Sequence, residues 1–434
     1  MPRVTDLGIT IGLLPSGPTG SVLDVPGVGL GHATVWRDEP PPPAGRGIAR
    51  TGVTVIDPGG DLFRSPVPAG GAVLNGAGEC TGLLAVQEWG LAETPVFLTS
   101  TMQVGRVYDA ACELLIAEQP AIGVDDVIIP VCAECDDSFL SDSRRMQIRP
   151  GDVRDALAAA RASAGAAAAV EGAVGAGTGM SCLGYKGGIG TASRVLPGGA
   201  TVGVVTLTNF GERPRLTVAG VPAGELLPDP GPARPGPAGS CIVVAITDGP
   251  LDAVACQRLA RRAGLGLART GSTAHHASGE IFLALATGLR APRGAAPPRA
   301  PVTGRALDDY FAAVTEATEE AVINSLLQSV TVTGRDGNTS HQLPAGALRD
   351  LLASHPAGSR SLWPGPGSTC RRPHRLRRTS GCRRFPRAGS TGTRRTLTPG
   401  CATMTCHRCA TTSRPSARTT TGPPSPRAGC RTAC

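Results

Sequence analysis

The sequence predicts an α/β protein, a layered sandwich of sheets covered by helices, and three observations predict it. Nine short runs read as strands, and most are apolar on both faces, as strands buried on two sides are. The runs cluster, with a few long helical segments among them, and so depart from strict strand–helix alternation. The composition agrees, since 59 Gly, 39 Pro and 3% aromatic residues imply many turns and small-residue packing. At 434 residues the chain is long enough for one large α/β domain with a sizeable core.

In chain order, "GVTVIDP" (52–58), "AVLN" (72–75) and "TPVFLTS" (94–100) read as strands, followed by a helix over 105–118. "DVIIPVCAE" (126–134) is the next strand, and a helix over 151–170 follows. The glycine-rich stretch "GAVGAGTGMSCLGYKGGIGTASR" (172–194) invites a nucleotide-binding reading and fails it in detail. Met180 stands where a dinucleotide fingerprint needs Gly, and Gly187 follows Lys186 where a phosphate loop needs Ser or Thr. It reads as a tight structural loop lining a pocket. Beyond it come strands at 201–210, 215–221, 240–247, 280–287 and 329–337, with helices over 250–265 and 307–327.

Charge divides the chain. Residues 356–434 hold 16 Arg and no Asp, Glu or Lys, which leaves residues 1–355 with a net charge of −8 against +8 for the whole. That tail has no Ile, Val, Tyr, Asn or Gln and is expected to be disordered, because so little aliphatic surface cannot offset the entropy of ordering. It reads as a GC-rich gene translated in the wrong frame, or another non-functional extension; the alternative is a basic arm for nucleic acid. Cys406, His407 and Cys409 have the inner spacing of a zinc site without a second pair. Cys132 and Cys135 end an apolar run where small buried cysteines are common. No metal, no other cofactor and no disulfide framework is expected. No apolar segment reaches a membrane-spanning length, and Asp6 interrupts any signal-peptide core, so a soluble cytoplasmic protein is expected.

The junction within "RPGPAGSCIVVAITDGPL" (234–251) carries the chemistry. A Pro/Gly loop ends at Gly239 and a buried strand starts after Ser240, which places a hydroxyl at the mouth of a core strand. Ser278 and Glu280, in "HHASGEIFLALATG", stand at the entrance of another apolar strand, and alternate strand residues share a face. If the two strands are neighbours, three polar side chains converge at one end of a sheet. Nucleophilic catalysis needs such convergence, since a serine hydroxyl is inert until a base takes its proton.

With these residues in view, the chain resembles the L-aminopeptidase/D-esterase and β-peptidyl aminopeptidase family of self-cleaving N-terminal-nucleophile hydrolases. The resemblance spans about residues 5–350 and rests on "DLGITIGLLPSGPTGSVLDVPGVGLGH", "GVTVIDPGGDLFRSPVPAGGAVLNGAGECTG", "GAGTGMSCLGYKGGIGTASR", "GSCIVVAITDGPL", "SGEIFLALATG" and "VTGRDGNTSHQLP". It implies an αββα sandwich of the N-terminal-nucleophile-like type shared by DmpA and ornithine acetyltransferases. It also implies one hydrolase domain over 1–355, cut between Gly239 and Ser240 into fragments 1–239 and 240–355 that remain associated and assemble into homo-oligomers.

The same resemblance assigns roles. Ser240 is the nucleophile, and its freed α-amine, with an intrinsic pKa near ~8, is a nearby base. Ser278 and Glu280 form a polar relay, Asn209 donates to the oxyanion, and Glu134 holds the substrate's free ammonium. Asp136 departs from the aromatic residue that several relatives carry near the pocket, and His275 and His276 read as structural. Each assigned residue also has a duller reading, as a turn serine, a strand-edge hydroxyl or an ion-pair partner. The expected substrates are short peptides and amino acid amides or esters, with no nucleic-acid or membrane partner. The related acyltransferases of the ornithine acetyltransferase type use Thr as nucleophile, and Ser240 argues against that alternative. A nucleic-acid-binding protein acting through the tail is the reading from outside enzymology.

Overall fold

Along the central strands, successive apolar side chains enter two different cores, and that alternation sets the architecture. The computed structural model describes residues 1–231 and 239–355. Its strands are β1 (Gly29–Asp38), β2 (Ile48–Asp57), β3 (Val67–Gly76), β4 (Leu91–Ala92), β5 (Val96–Ser100), β6 (Val131–Cys135), β7 (Ser181–Cys182), β8 (Tyr185–Lys186), β9 (Ile189–Val195), β10 (Thr201–Thr208), β11 (Cys241–Thr247), β12 (Gly279–Ala286), β13 (Val332–Thr333) and β14 (Thr339–Ser340). The helices are α1 (Leu83–Trp89), α2 (Val104–Glu118), α3 (Pro150–Ser163), α4 (Ala223–Leu226), α5 (Ala253–Thr270), α6 (Leu307–Leu327) and α7 (Ala345–Ser354).

Two sheets form the middle layers, one ordered β1-β2-β5-β6 and the other β4-β3-β12-β11-β10-β9. On β11, Ile242, Val244 and Ile246 enter the core between the sheets, whereas Cys241, Val243 and Ala245 enter the core under α5 and α6. β12 does the same with Ile281, Leu283 and Leu285 against Phe282, Ala284 and Ala286. A third core joins the outer face of the four-stranded sheet, through Val53, Val55 and Phe97, to α2 and α3. The result is the expected αββα sandwich. Helix α5 starts where the Asp252 carboxylate accepts from Ala255 N–H at 2.8 Å, and it stops at Gly271, whose φ of 106° suits glycine. Helix α6 lies so close to β9 that a Cβ at Gly190 would sit 1.9 Å from the Ala321 carbonyl oxygen.

The helix expected over 151–170 ends at Ser163, two residues before Gly165 with its φ of 77°, the strand expected over 126–134 begins only at Val131, and three further expectations need correction. The run 215–221 is not a strand: Val218 and Val221 bond to each other across Ala219 and Gly220, whose φ of 48° and 80° fold the segment into a turn. Of 329–337 only β13 is strand, because Gly334, Asp336 and Gly337 turn the chain back to β14. The glycine-rich stretch holds a full strand, β9, in addition to its loop. Within that loop the Lys186 ammonium group donates to the Gly177, Met180 and Gly187 carbonyls at 2.9, 2.8 and 2.6 Å, stitching the loop internally rather than meeting a phosphate.

Strand β1 escaped the sequence reading, since His32, Thr34 and Arg37 break its apolar pattern at the edge of its sheet. Cys132 and Cys135 lie on opposite faces of β6, so their spacing cannot bring two thiolates to one metal. Among the described residues, no helix is long and apolar enough to cross a membrane. The expectations for residues 356–434, including the Cys406–Cys409 cluster, lie outside the described residues.

Candidate active site

Strands β11 and β12 are parallel neighbours with Cys241 opposite Glu280, so Ser240 comes level with Gly279, between Ser278 and Glu280. The local backbone at Ser240 is unusual. Its φ is 141°, in the half of backbone space that favours glycine, and holding a side chain there costs about 1–3 kcal/mol. The hydroxyl is buried without a hydrogen-bond partner; it faces the Cys135 thiol without meeting hydrogen-bond geometry. A buried hydroxyl left unpaired on a strained backbone is an unfavourable way to use a serine for structure.

Asn209 holds the two residues of the junction from one side. Its backbone N–H donates to the Ser240 carbonyl at 3.1 Å, and its side-chain amide donates to the Asp136 carbonyl at 2.9 Å and to the Gly239 carbonyl at 3.5 Å. The side-chain oxygen accepts from Ser181 N–H at 3.0 Å, which fixes which end of the amide points at Gly239. Gly239 itself has no room for a side chain, since a Cβ would stand 2.6 Å from the Ala277 carbonyl oxygen. Asn209→Ala should therefore slow cutting at this bond, and any hydrolysis that uses the same donor, by about 100- to 1,000-fold. Time courses of chain cleavage on gels and of amide hydrolysis measure it; unaltered rates would remove Asn209 from the oxyanion role.

A cavity of about 450 Å³ opens at this junction, lined by Ala77, Gly78, Glu79, Thr101, Glu134, Asp136, Gly239, Ser240 and Ala277. Glu134, on β6, is buried in its wall. One carboxylate oxygen accepts from Glu79 N–H at 2.9 Å and the other from the Thr101 hydroxyl. Burial raises the Glu134 pKa, and the neighbouring Asp136 and Glu79 charges push the same way, against those two hydrogen bonds. A cation in the cavity would relieve both effects. A second cavity, of about 470 Å³ near Asp57 and Arg161, holds none of these groups, and its arginine is already paired with Glu118 and Asp57.

Ser278 and Glu280 are placed beside the junction but outside the cavity lining. The Ser278 hydroxyl donates to one Glu280 carboxylate oxygen, and the other is buried with no partner. Burial raises the Glu280 pKa, with the Ser278 bond and the His275 charge opposing. The expected three-way convergence is thus only partly formed in the uncut chain, because Ser240 and this pair make no mutual hydrogen bond. His275 serves the loop, its carbonyl accepting from the Asn75 amide at 2.8 Å and Ser278 N–H at 2.8 Å. Thr101 and Glu79 were missed in the sequence. The only signal for Thr101 is a hydroxyl directly after a buried strand.

Residues 20–340 match the description "Peptidase family S58". The chain belongs to peptidase family S58. This S58 chain is a peptide hydrolase with the N-terminal-nucleophile fold. It is 37% identical over 373 residues to a beta-peptidyl aminopeptidase of Sphingosinicella xenopeptidilytica, covering 81% of this chain and 91% of the relative. Among solved structures it is similar to a Burkholderia sp. beta-aminopeptidase, at a TM-score of 0.74 and 40% identity, over 81% of this chain and 99% of that one. It is also similar to the L-aminopeptidase D-Ala-esterase/amidase of Ochrobactrum anthropi, at a TM-score of 0.73 and 33% identity, covering 82% of this chain and 99% of the other.

Proposed function

We propose that this S58 peptidase is a self-cleaving serine aminopeptidase that removes N-terminal residues from short peptides and from amino acid amides or esters. The observation that carries the reading is the strained, unpartnered Ser240 directly after Gly239, whose carbonyl takes the Asn209 amide. In maturation, the Ser240 hydroxyl oxygen attacks the Gly239 carbonyl carbon. The Gly239–Ser240 C–N bond breaks as its nitrogen takes a proton, leaving an ester. Water then hydrolyses that ester to give the Gly239 carboxylate and a Ser240 with free hydroxyl and α-amine.

In turnover the α-amine, intrinsic pKa near ~8, takes the hydroxyl proton as Ser240 attacks the substrate carbonyl. The departing amine receives a proton, and water releases the acyl group from Ser240. Ser278 and Glu280 orient the new terminus, with the unpartnered Glu280 oxygen as acceptor, and Glu134 holds the substrate ammonium.

The cut fragments stay together because fragment 240–355 supplies β11 and β12, which sit in the six-stranded sheet between β3 and β10 of fragment 1–239. Separating them would expose the core on both faces. Exposed Val73, Leu74, Leu84 and Trp89 favour further assembly of cut pairs into homo-oligomers. Seven free cysteines among the described residues favour a reducing, cytoplasmic setting.

The specificity part of the proposal has its own test. Glu134→Gln should weaken free-amine substrates and narrow their advantage over N-acetyl analogues by about tenfold or more, while self-cleavage continues, since no substrate amine takes part in it. The measurement is the ratio of kcat/KM for the two substrates in wild type and variant. An unchanged ratio with processing intact would return Glu134 to a structural role.

A further inference from the structure

Of the 42 Lys and Arg residues in the chain only one is a lysine, Lys186, and it is fully buried. A charge taken out of water is costly unless its donors are met. Here three acceptors meet them, the Gly177, Met180 and Gly187 carbonyls at 2.9, 2.8 and 2.6 Å. Burial pulls the Lys186 pKa down to about 7, with Cys182 and Asp137 opposing, and the three acceptor carbonyls favour the charged form. Acceptors that converge on one point suit a compact ammonium with three rotatable donors, whereas a guanidinium spreads five donors over a plane.

Two of those carbonyls belong to residues that directly precede contacts to the Asn209 segment. Ser181, after Met180, donates its N–H to the Asn209 side-chain oxygen at 3.0 Å. Gly188, after Gly187, accepts from Thr208 N–H at 3.0 Å and donates to the Thr208 hydroxyl at 3.1 Å. Between them, Leu183 N–H donates to the Phe210 carbonyl at 2.7 Å. The loop therefore grips Thr208, Asn209 and Phe210 in succession, where β10 has just ended. The approach is close, since a Cβ at Gly187 would stand 2.4 Å from the Thr208 carbonyl oxygen. The other end of the gripped Asn209 amide donates to the Gly239 carbonyl at 3.5 Å. We propose that Lys186 is a positioning residue for the reaction at Ser240: by tying Met180 to Gly187, it fixes the loop that aims the Asn209 amide. This rests on the reading of Asn209 as the oxyanion donor and adds the group that holds it in place.

The test is a double-mutant cycle on wild type, Lys186→Met, Asn209→Ala and the double variant. Self-cleavage is followed on gels, and kcat and KM for a free-amine p-nitroanilide are measured per cut chain. Met keeps the apolar stem and removes the donors. Lys186→Met is expected to lower kcat and the self-cleavage rate by about 10- to 100-fold, as a misplacement of about 1 Å does, and to leave KM unchanged. In the Asn209→Ala background the same substitution should add less than about threefold. Equal losses in both backgrounds, or full activity of Lys186→Met, overturn the assignment. A second measurement needs no lysine variant. Untagged protein grown on isotope-labelled lysine gives one ammonium signal, that of Lys186. In mildly acid solution Asn209→Ala is expected to speed exchange of its protons with water by about tenfold, because coupling between two groups is reciprocal. An unchanged signal and exchange rate overturn the assignment even where Lys186→Met does not fold. If Asn209→Ala itself cuts and turns over at wild-type rates, the oxyanion reading fails, and this inference falls with it.

Discussion

Ser240→Ala protein is expected to migrate as one uncut chain and to lose amide and ester hydrolysis by more than about 10⁴-fold, the scale on which removal of a serine nucleophile acts. Both losses would come from one atom, since in the proposed scheme the same oxygen attacks Gly239 in maturation and the substrate carbonyl in turnover. The wild-type chain is expected to yield two fragments, and N-terminal sequencing of the one starting at residue 240 should read Ser-Cys-Ile-Val-Val. The fold should survive the substitution: the hydroxyl makes no hydrogen bond to lose, and Ala fits the same space. A wild-type chain that stays intact and is fully active would refute the self-cleavage proposal.

Ser278→Ala and Glu280→Gln are expected to slow hydrolysis by about 10²- to 10⁴-fold, the range for groups that move or orient a transferring proton. The pair is fully buried at the head of β12 and is bonded internally, with one Glu280 oxygen left over. In the uncut chain that oxygen has no donor; the proposed cut would release the Ser240 α-amine level with Gly279. Because burial raises the Glu280 pKa, its carboxylate is lost at a higher pH than an ordinary glutamate's as the solution is acidified. The acid limb of kcat/KM against pH should therefore lie above the ordinary glutamate range. Melting curves matching wild type, together with full activity in both variants, would leave the pair without a role in proton transfer.

Much of this was legible along the chain because burial leaves a mark on residue type. Strands ending at Thr247 and Ala286 could be placed within a residue or so, since apolar runs bounded by Gly or Asp have few alternatives, and the helix over 307–327 matched its expected bounds. Strand β1 was not legible, because an edge strand interrupted by polar residues lacks that mark. The segment 215–221 misled for the opposite reason: its apolar residues are buried as a turn, and only the left-handed Ala219–Gly220 pair decides that.

The sequence by itself determined the setting of Ser240, a serine between a Pro/Gly loop and a core strand, because backbone freedom and strand burial are local properties of residue type. It also placed Ser278 and Glu280 on a common face, since strand alternation is fixed by chirality and pleat. Only the tertiary structure decided that β11 and β12 lie side by side and in which register, because the pairing joins residues 39 apart in the chain and is selected by packing in two cores at once. It alone decided that Asn209 reaches the Gly239 carbonyl, and that Glu134, on the other sheet, and Asp136, just beyond its last strand, line one cavity with Ser240. Distances between sheets follow from how side chains fill the space between them, and no spacing along the chain encodes that.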